Sequence, residues 1–367
     1  MVSDKKTIYI TRFPFSSQLG GEELHTMAIA KHYRALGHNV IFLTSCNVLL
    51  DLAEKDGFET EKAWLYKPPV TLWSLMIFTL LSPILFFHAS GIITRLKLKD
   101  RNCVFYMLSF TEKLIMTPFL KATLTPVIWL EHARIGNWFW KNPWRKWYLK
   151  LADFVKVVTV SERMVNDLGV KDAILIPNAI KTSYFSKIRD AEVLPDTLKA
   201  HFLPAKLEVG YVGRLTEDKG MNLVMEAAKK LPGLNFVTVG DGPMAGALQK
   251  TGVNVHSKID REQVVAFMQN IDIFILPSTQ VDPFGLVVLE AMAAGTPVVL
   301  TDQCGVADYL DSGKDAIVAP VDEFIDALDK LSRSETKRKK LAEHGQKTVE
   351  KKFKYEKMLE AYGELIN

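Results

Sequence analysis

The sequence predicts an α/β protein of two Rossmann-like parallel-sheet domains facing across an interdomain cleft. Three observations predict it. At 367 residues the chain has room for about two domains of roughly 150 residues, each with its own core. Both halves alternate short apolar runs with segments whose apolar residues recur at helical spacing, the pattern of parallel sheets wrapped by helices. Between the halves lies a polar stretch with Pro195, Pro204 and no clear period, which reads as a linker.

In order, the strands expected in the first half are TIYITRF (7–13), NVIFLT (39–44), CVFYMLS (103–109), PVIWLEH (126–132), VKVVTVS (155–161) and AILIPN (173–178). Segments such as ELHTMAIAKHYRALGH (23–38) supply the helices between them. The second half repeats the scheme with LEVGYVG, NFVTVG, NVHS, IFILPS, PVVLT and AIVAP. The expected organisation is a first domain over 1–185, a linker over 186–206, a second domain over 207–352, and a terminal helix over 353–367 that packs back on the first. Ligands of such folds bind at the carboxyl ends of the strands, so the cleft is the expected site.

Composition excludes several classes. Apolar residues make up 48% and charged residues 24%, an ordinary globular balance that argues against disorder, coiled coil and collagen. Three scattered cysteines, Cys46, Cys103 and Cys304, make neither a disulfide framework nor a zinc motif, which fits a reducing cytosol. The first strand is too short for a signal peptide, so no export is expected. The net charge of +4 is unevenly divided. Residues 1–185 hold 23 Lys and Arg against 15 Asp and Glu, a net +8, and the remainder 23 against 27, a net −4. The basic first half suits an anionic partner.

From Pro68 to Thr94 there is no Lys, Arg, Asp or Glu, a length that would span a bilayer. Pro83, several hydroxyl residues and the flanking strands argue against a span. An interfacial helix and a buried core helix both stay open. Basic residues follow over 95–101, and WFWKNPWRKWYLK (138–150) mixes Trp with Lys and Arg as headgroup-level segments do. Segments 68–101 and 138–150 are therefore the candidate contact with an anionic membrane.

Two segments carry chemistry. In VDPFGLVVLEAMAAGTPVV (281–299), Pro283 and Gly285 make a turn that starts a helix, whose free N–H groups suit phosphate. Asp282 and Glu290 flank that start and can accept hydrogen bonds from hydroxyl groups on either side of a bound phosphate, the layout of a sugar nucleotide. In LEVGYVGRLTEDKG (207–220), a buried strand leads to Gly213, where backbone can approach a ligand, then to Arg214 and Lys219, a two-donor grip and a point charge for phosphate.

LGGEE (19–23), GH (37–38), VTVS (158–161), IPNAI (176–180), YVGRLTEDKG (211–220), VGDGP (239–243), DIFILPS (272–278) and DPFGLVVLEAMAAGTPVV (282–299) together resemble the large retaining glycosyl transferases group 1 family with the GT-B fold. The blocks span nearly the whole chain in family order. The resemblance implies that Gly20 and Gly21 approach donor phosphate and acceptor, and that His132 contacts the transferred sugar. It further implies that Arg214 and Lys219 hold the diphosphate with main chain at Phe284, Gly285, Leu286 and Val287, that Glu290 binds the ribose, and that Asp282 contacts sugar hydroxyls near O3 and O4. Two positions depart from the pattern. Asp282 stands where the family usually has Glu, which bears on the donor sugar. Asn178-Ala179-Ile180-Lys181 replaces the usual Asn-Gly-Val-Asp.

The expected activity is transfer of a hexose from a UDP- or GDP-sugar to a glycan or lipid-linked acceptor, with retained configuration and neither metal nor cofactor. Envelope polysaccharide or glycolipid synthesis, in the cytoplasm or peripherally on the inner face of the plasma membrane, is the expected setting. Rival readings are a sugar-nucleotide epimerase of the same fold and a non-catalytic, membrane-docked sugar-nucleotide-binding protein. A dehydrogenase would need GxGxxG after its first strand, where SSQLGGEE stands. Nucleic acid is not an expected partner, because the one aromatic-basic cluster comes without a recognition motif.

Overall fold

The computed structural model describes residues 5–14, 21–69, 71–132, 141–185, 193–203 and 205–366. Two compact units share the chain: residues 1–160, 164–176 and 359–367 form the first, and 161–163 with 177–358 the second.

The first unit holds seven described strands: β1 (Thr7–Arg12), β2 (Asn39–Thr44), β3 (Glu59–Lys62), β4 (Cys103–Met107), β5 (Val127–Glu131), β6 (Lys156–Thr159) and β7 (Ile174–Leu175). They pair in the order β3-β2-β1-β4-β5-β6-β7, all parallel, with Thr7 opposite both Asn39 and Cys103. The central strands β1, β4 and β5 are buried on both faces, which explains their continuous apolar reading. Tyr9 stacks on Phe105 with ring centroids 5.0 Å apart. The charged strand ETEK escaped the sequence reading because it has no apolar face; it forms the sheet edge, where charges block further pairing.

The second unit holds β8 (Leu207–Val212), β9 (Leu234–Val239), β10 (Asn254–His256), β11 (Ile273–Leu276), β12 (Val298–Thr301) and β13 (Ile317–Ala319), ordered β10-β9-β8-β11-β12-β13 and again parallel. In each sheet the order reverses beside the first strand, between β1 and β4 and between β8 and β11. Such a reversal parts the connecting loops at the carboxyl edge and opens a ligand crevice.

The units divide at Ile176, nine positions before the expected boundary at 185. The described part of the expected linker is built into the second unit: Leu198 of the short helix Asp196–Lys199 is buried and the main-chain N–H of Leu203 donates to Glu208 Oε1. Phe185, just before it, accepts from Gln269 of the same unit. The terminal helix Tyr355–Glu364 passes from the second unit into the first at Leu359. There Tyr33 donates to the Tyr362 carbonyl at 3.0 Å and Lys156 to that of Leu365 at 2.8 Å.

The uncharged stretch forms the helix Leu72–Lys99, opened by a capping box between Thr71 and Ser74 and carrying Pro83 inside. It is long and apolar enough to cross a membrane by length and composition. One of its faces is buried and the other lies in solvent, so it is not a fully buried core helix.

Candidate active site

At the carboxyl end of β8 the chain turns at Gly213, φ +153°, where a Cβ would stand 2.6 Å from the Tyr211 hydroxyl. That hydroxyl donates to the Arg214 carbonyl at 2.9 Å, fixing the backbone of Arg214 while its side chain stays 72% exposed and only loosely paired with Asp218 at 3.9 Å. An exposed guanidinium of this kind is available to a phosphate. The turn closes at Gly220, φ +78°, which caps the helix Met221–Lys230 in the left-handed region. A Cβ there would overlap the Pro277 carbonyl, so glycine permits the two loops to touch. They are stitched by Thr279, whose main-chain N–H donates to the Asp218 carbonyl and whose hydroxyl donates to that of Glu217, both at 3.0 Å.

This stitching brings Lys219 Nζ within 2.6 Å of Asp282 Oδ2. Ser278 Oγ donates to the same carboxylate oxygen at 3.4 Å, and the Phe284 N–H donates to Oδ1 at 3.4 Å. Both partners of the ion pair are largely buried. An ammonium has three donors, so Lys219 can hold Asp282 and still offer hydrogens to a diphosphate. The sequence separated these two residues into a phosphate group and a sugar group; the structure joins them.

Gly285, φ +86°, caps the helix Leu286–Ala293, and the Val288 N–H is taken by the Gly285 carbonyl. Leu286 and Val287 are half-buried beside it. Phe284 does not present its side chain to a ligand. It is 2% exposed, its ring lying 6.0 Å from that of Tyr309 and 6.2 Å from that of Phe353, so only its main chain can reach a donor. One helical turn on, Glu290 Oε1 lies 3.7 Å from Arg261 Nη2, and the Arg261 guanidinium sits over the Tyr184 ring at 5.1 Å. Desolvation raises the Glu290 carboxyl above the ordinary range, and Arg261 opposes the rise. Arg261 was missed by the sequence reading. Its local signal, a capping box of Asp260 with Gln263, marks a helix start but not the distant carboxylate it meets.

In the first unit, Gly20 lies outside the described residues, and Gly21 is the exposed first residue of the helix Gly21–Ala35. The acids of the LGGEE block serve Arg12 at the end of β1: Glu22 lies 3.2 Å from its guanidinium, and Glu23 forms a closer ion pair. His132, just past β5, contacts the Tyr362 hydroxyl through Nε2 at 3.3 Å, and its ring meets that of His25 edge-on at 4.3 Å. Desolvation, helped by His25 and Lys113, holds His132 well below the usual imidazole range, and burial alone brings His25 down to about 3. Both imidazoles are therefore neutral at pH 7. Beneath them Glu131 accepts from Lys113 Nζ at 2.7 Å and the Tyr148 hydroxyl at 2.6 Å, so its charge is spent internally.

Two parallel-sheet units of this topology define the GT-B class of protein. Solved structures agree: a glycosyltransferase from Rickettsia africae ESF-5 superposes with a TM-score of 0.74 at 19% identity over 99% of both chains. Anabaena HepE in complex with UDP gives 0.75 at 18% over 98% of both. Residues 199–348 match the model of the family Glycosyl transferases group 1. Among curated proteins, the lipopolysaccharide core biosynthesis glycosyltransferase LpsE of Rhizobium meliloti (strain 1021) is 29% identical over 247 residues, 64% of this chain and 68% of the relative. The chain spans between about a quarter and two-thirds of the length of the curated relatives it matches.

Proposed function

We propose that the protein transfers a hexosyl group from a UDP- or GDP-sugar to a glycan or lipid-linked acceptor with retention at the anomeric carbon. The proposed setting is envelope polysaccharide or glycolipid synthesis at the cytoplasmic face of the plasma membrane. The carrying observation is the arrangement of Arg214, the Lys219–Asp282 pair, the helix start at Gly285 and Glu290 around the β8/β11 reversal. The match of this segment to the family model and the sugar-transfer names of its relatives support the reading.

In the proposed reaction the bond from the anomeric carbon to the diphosphate oxygen breaks and the acceptor oxygen bonds that carbon from the same face. The leaving phosphate oxygen takes the acceptor proton, so no protein nucleophile, metal or cofactor is required. Arg214, Lys219 and the N–H groups at Gly285–Val287 stabilise the charge growing on the diphosphate. Glu290 accepts from the ribose hydroxyls, and Asp282, oriented by Lys219, accepts from the sugar. In the first unit, neutral His132 positions the sugar without competing for the acceptor proton. One lost donor to a developing anion costs about 3–4 kcal/mol, or roughly a hundred- to a thousandfold in rate.

The test is product mass spectrometry with a panel of UDP- and GDP-sugars, simple glycans and lipid extracts. Arg214→Ala is the clean variant, because its side chain is exposed and its loss leaves the fold intact; the rate should fall about a hundredfold. Full activity in both Arg214→Ala and Glu290→Gln would sink the site. An isomer formed from donor alone would make the protein an epimerase.

A further inference from the structure

The helix Leu72–Lys99 is apolar around its circumference, with a mean hydropathy of 1.9 over its most apolar window. A helix apolar all round belongs in a protein core or in lipid. One face meets the first demand: Phe78, Leu85, Ala89, Ile92 and Leu96 are buried in the first unit. The other face stands in solvent. Trp73, Met76, Leu80, Ile84, Phe87 and Leu98 are exposed, Leu80 to 79% and Phe87 to 82%. At 3.6 residues per turn these six fall in an arc of about 80°, centred about 150° from the buried set. From Trp73 to Phe87 the exposure is one continuous stripe, with Leu98 on the same arc beyond Gly91 and Thr94.

A basic segment packs beside it. Trp144 donates its indole N–H to Thr79 Oγ1 at 3.0 Å and meets Phe78 edge-on at 5.1 Å. The same segment carries exposed Lys141, Lys146 and Lys150. No acid occurs between Pro68 and Thr94.

We infer that this face docks the first unit on an anionic bilayer, the stripe buried at the headgroup and upper acyl level and the lysines on lipid phosphates. A second copy of the chain fits less well, since a two-fold contact through the same patch would set lysines against lysines. Crossing the membrane would strip the buried face from its core, so the helix lies in the interfacial plane. The inference deepens the functional reading above by naming the surface that reaches the membrane, and its test does not depend on transfer.

The full chain is sedimented with phosphatidylcholine vesicles, with and without phosphatidylglycerol, at low and high salt. It should bind the anionic vesicles and be released by salt. Leu80→Glu with Phe87→Glu, both at exposed positions, should fold normally by circular dichroism and partition about a hundredfold more weakly. Lys141→Gln, Lys146→Gln and Lys150→Gln should each cost about fivefold. The inference fails if the wild type stays in the supernatant, or if the stripe variant binds equally well. It also fails if sedimentation velocity shows a dimer that the stripe variant abolishes. Vesicle binding by a chain that transfers no sugar would sink the reaction proposed above and leave this surface supported.

Discussion

In the proposed donor site, the contact of Glu290 with Arg261 bears on the working pH. A ribose hydroxyl donates best to an ionised carboxylate, and burial raises the Glu290 carboxyl. Donor affinity should therefore fall on acidification from a higher pH than an ordinary carboxylate would give. Arg261→Ala removes the opposing cation and should move that fall upward, weakening UDP or GDP about five- to tenfold near the midpoint; calorimetric titrations from pH 5 to 8 would read it. An unchanged midpoint removes Arg261 from the site. The Lys219–Asp282 pair asks a different question, because it is both a fold element and a candidate catalytic pair. Removing Lys219 alone leaves a buried carboxylate and should cost about 3–5 kcal/mol in urea unfolding, whereas Lys219→Met with Asp282→Leu should regain most of that stability and none of the activity. Stability that stays lost in the double variant would mean that the pair's worth lies elsewhere than in mutual charge. The proposed roles of Arg214, Lys219 and Asp282 were read from charged residues at glycine turns beside buried strands, and that of Glu290 from its place inside the helix that Gly285 opens. Their pairing was not: Lys219 and Asp282 are 63 positions apart, and no local pattern encodes a contact made when two loops close on one another.

Among the elements, the left-handed glycines differ in what they tolerate. Gly220→Ala would force a Cβ into a main-chain carbonyl and should destabilise by more than the about 1–2 kcal/mol of the left-handed backbone alone, displacing Lys219 with it. Gly285→Ala would meet a Leu276 methyl at 2.8 Å, a flexible side chain that can yield, and should cost less. Equal losses in chemical unfolding would contradict that ranking. The terminal helix, which carries Tyr362, gives a pH effect. His25 and His132 have folded-state values below those of the unfolded chain, so their contribution is present at pH 7 and is lost as pH falls through the unfolded value of about 6.5. Each should cost about 2 kcal/mol by pH 5, and His25→Phe should flatten the fall in Tm between those pH values. Strand positions were readable because central parallel strands are apolar throughout. Edge strand β3 and the half-solvated helix Leu72–Lys99 were not, because composition cannot report which face of an element finds a neighbour.

For the whole molecule, each unit has its own sheet and core, and the proposed donor residues Arg214, Lys219, Asp282 and Glu290 belong to the second. Saturating UDP, at about 100 times Kd, should add about 2.7 kcal/mol to the unit that binds it. Scanning calorimetry should then show the transition of the second unit moving up and that of the first staying in place. A single transition that shifts as one would mean that the two cores melt together. The two-domain count was legible from length and alternation, but the boundary at Ile176 was not, because Pro177–Phe185 reads like the end of one half and is held by the other. The return of residues 359–366 to the first unit has a consequence for biosynthesis. Tyr33, His132 and Lys156 wait for partners at Tyr362 and Leu365, which are translated only after the whole second unit. The earlier-made unit is thus the later one to be completed on the ribosome, its surface at Tyr33, His132 and Lys156 left open until the last residues emerge.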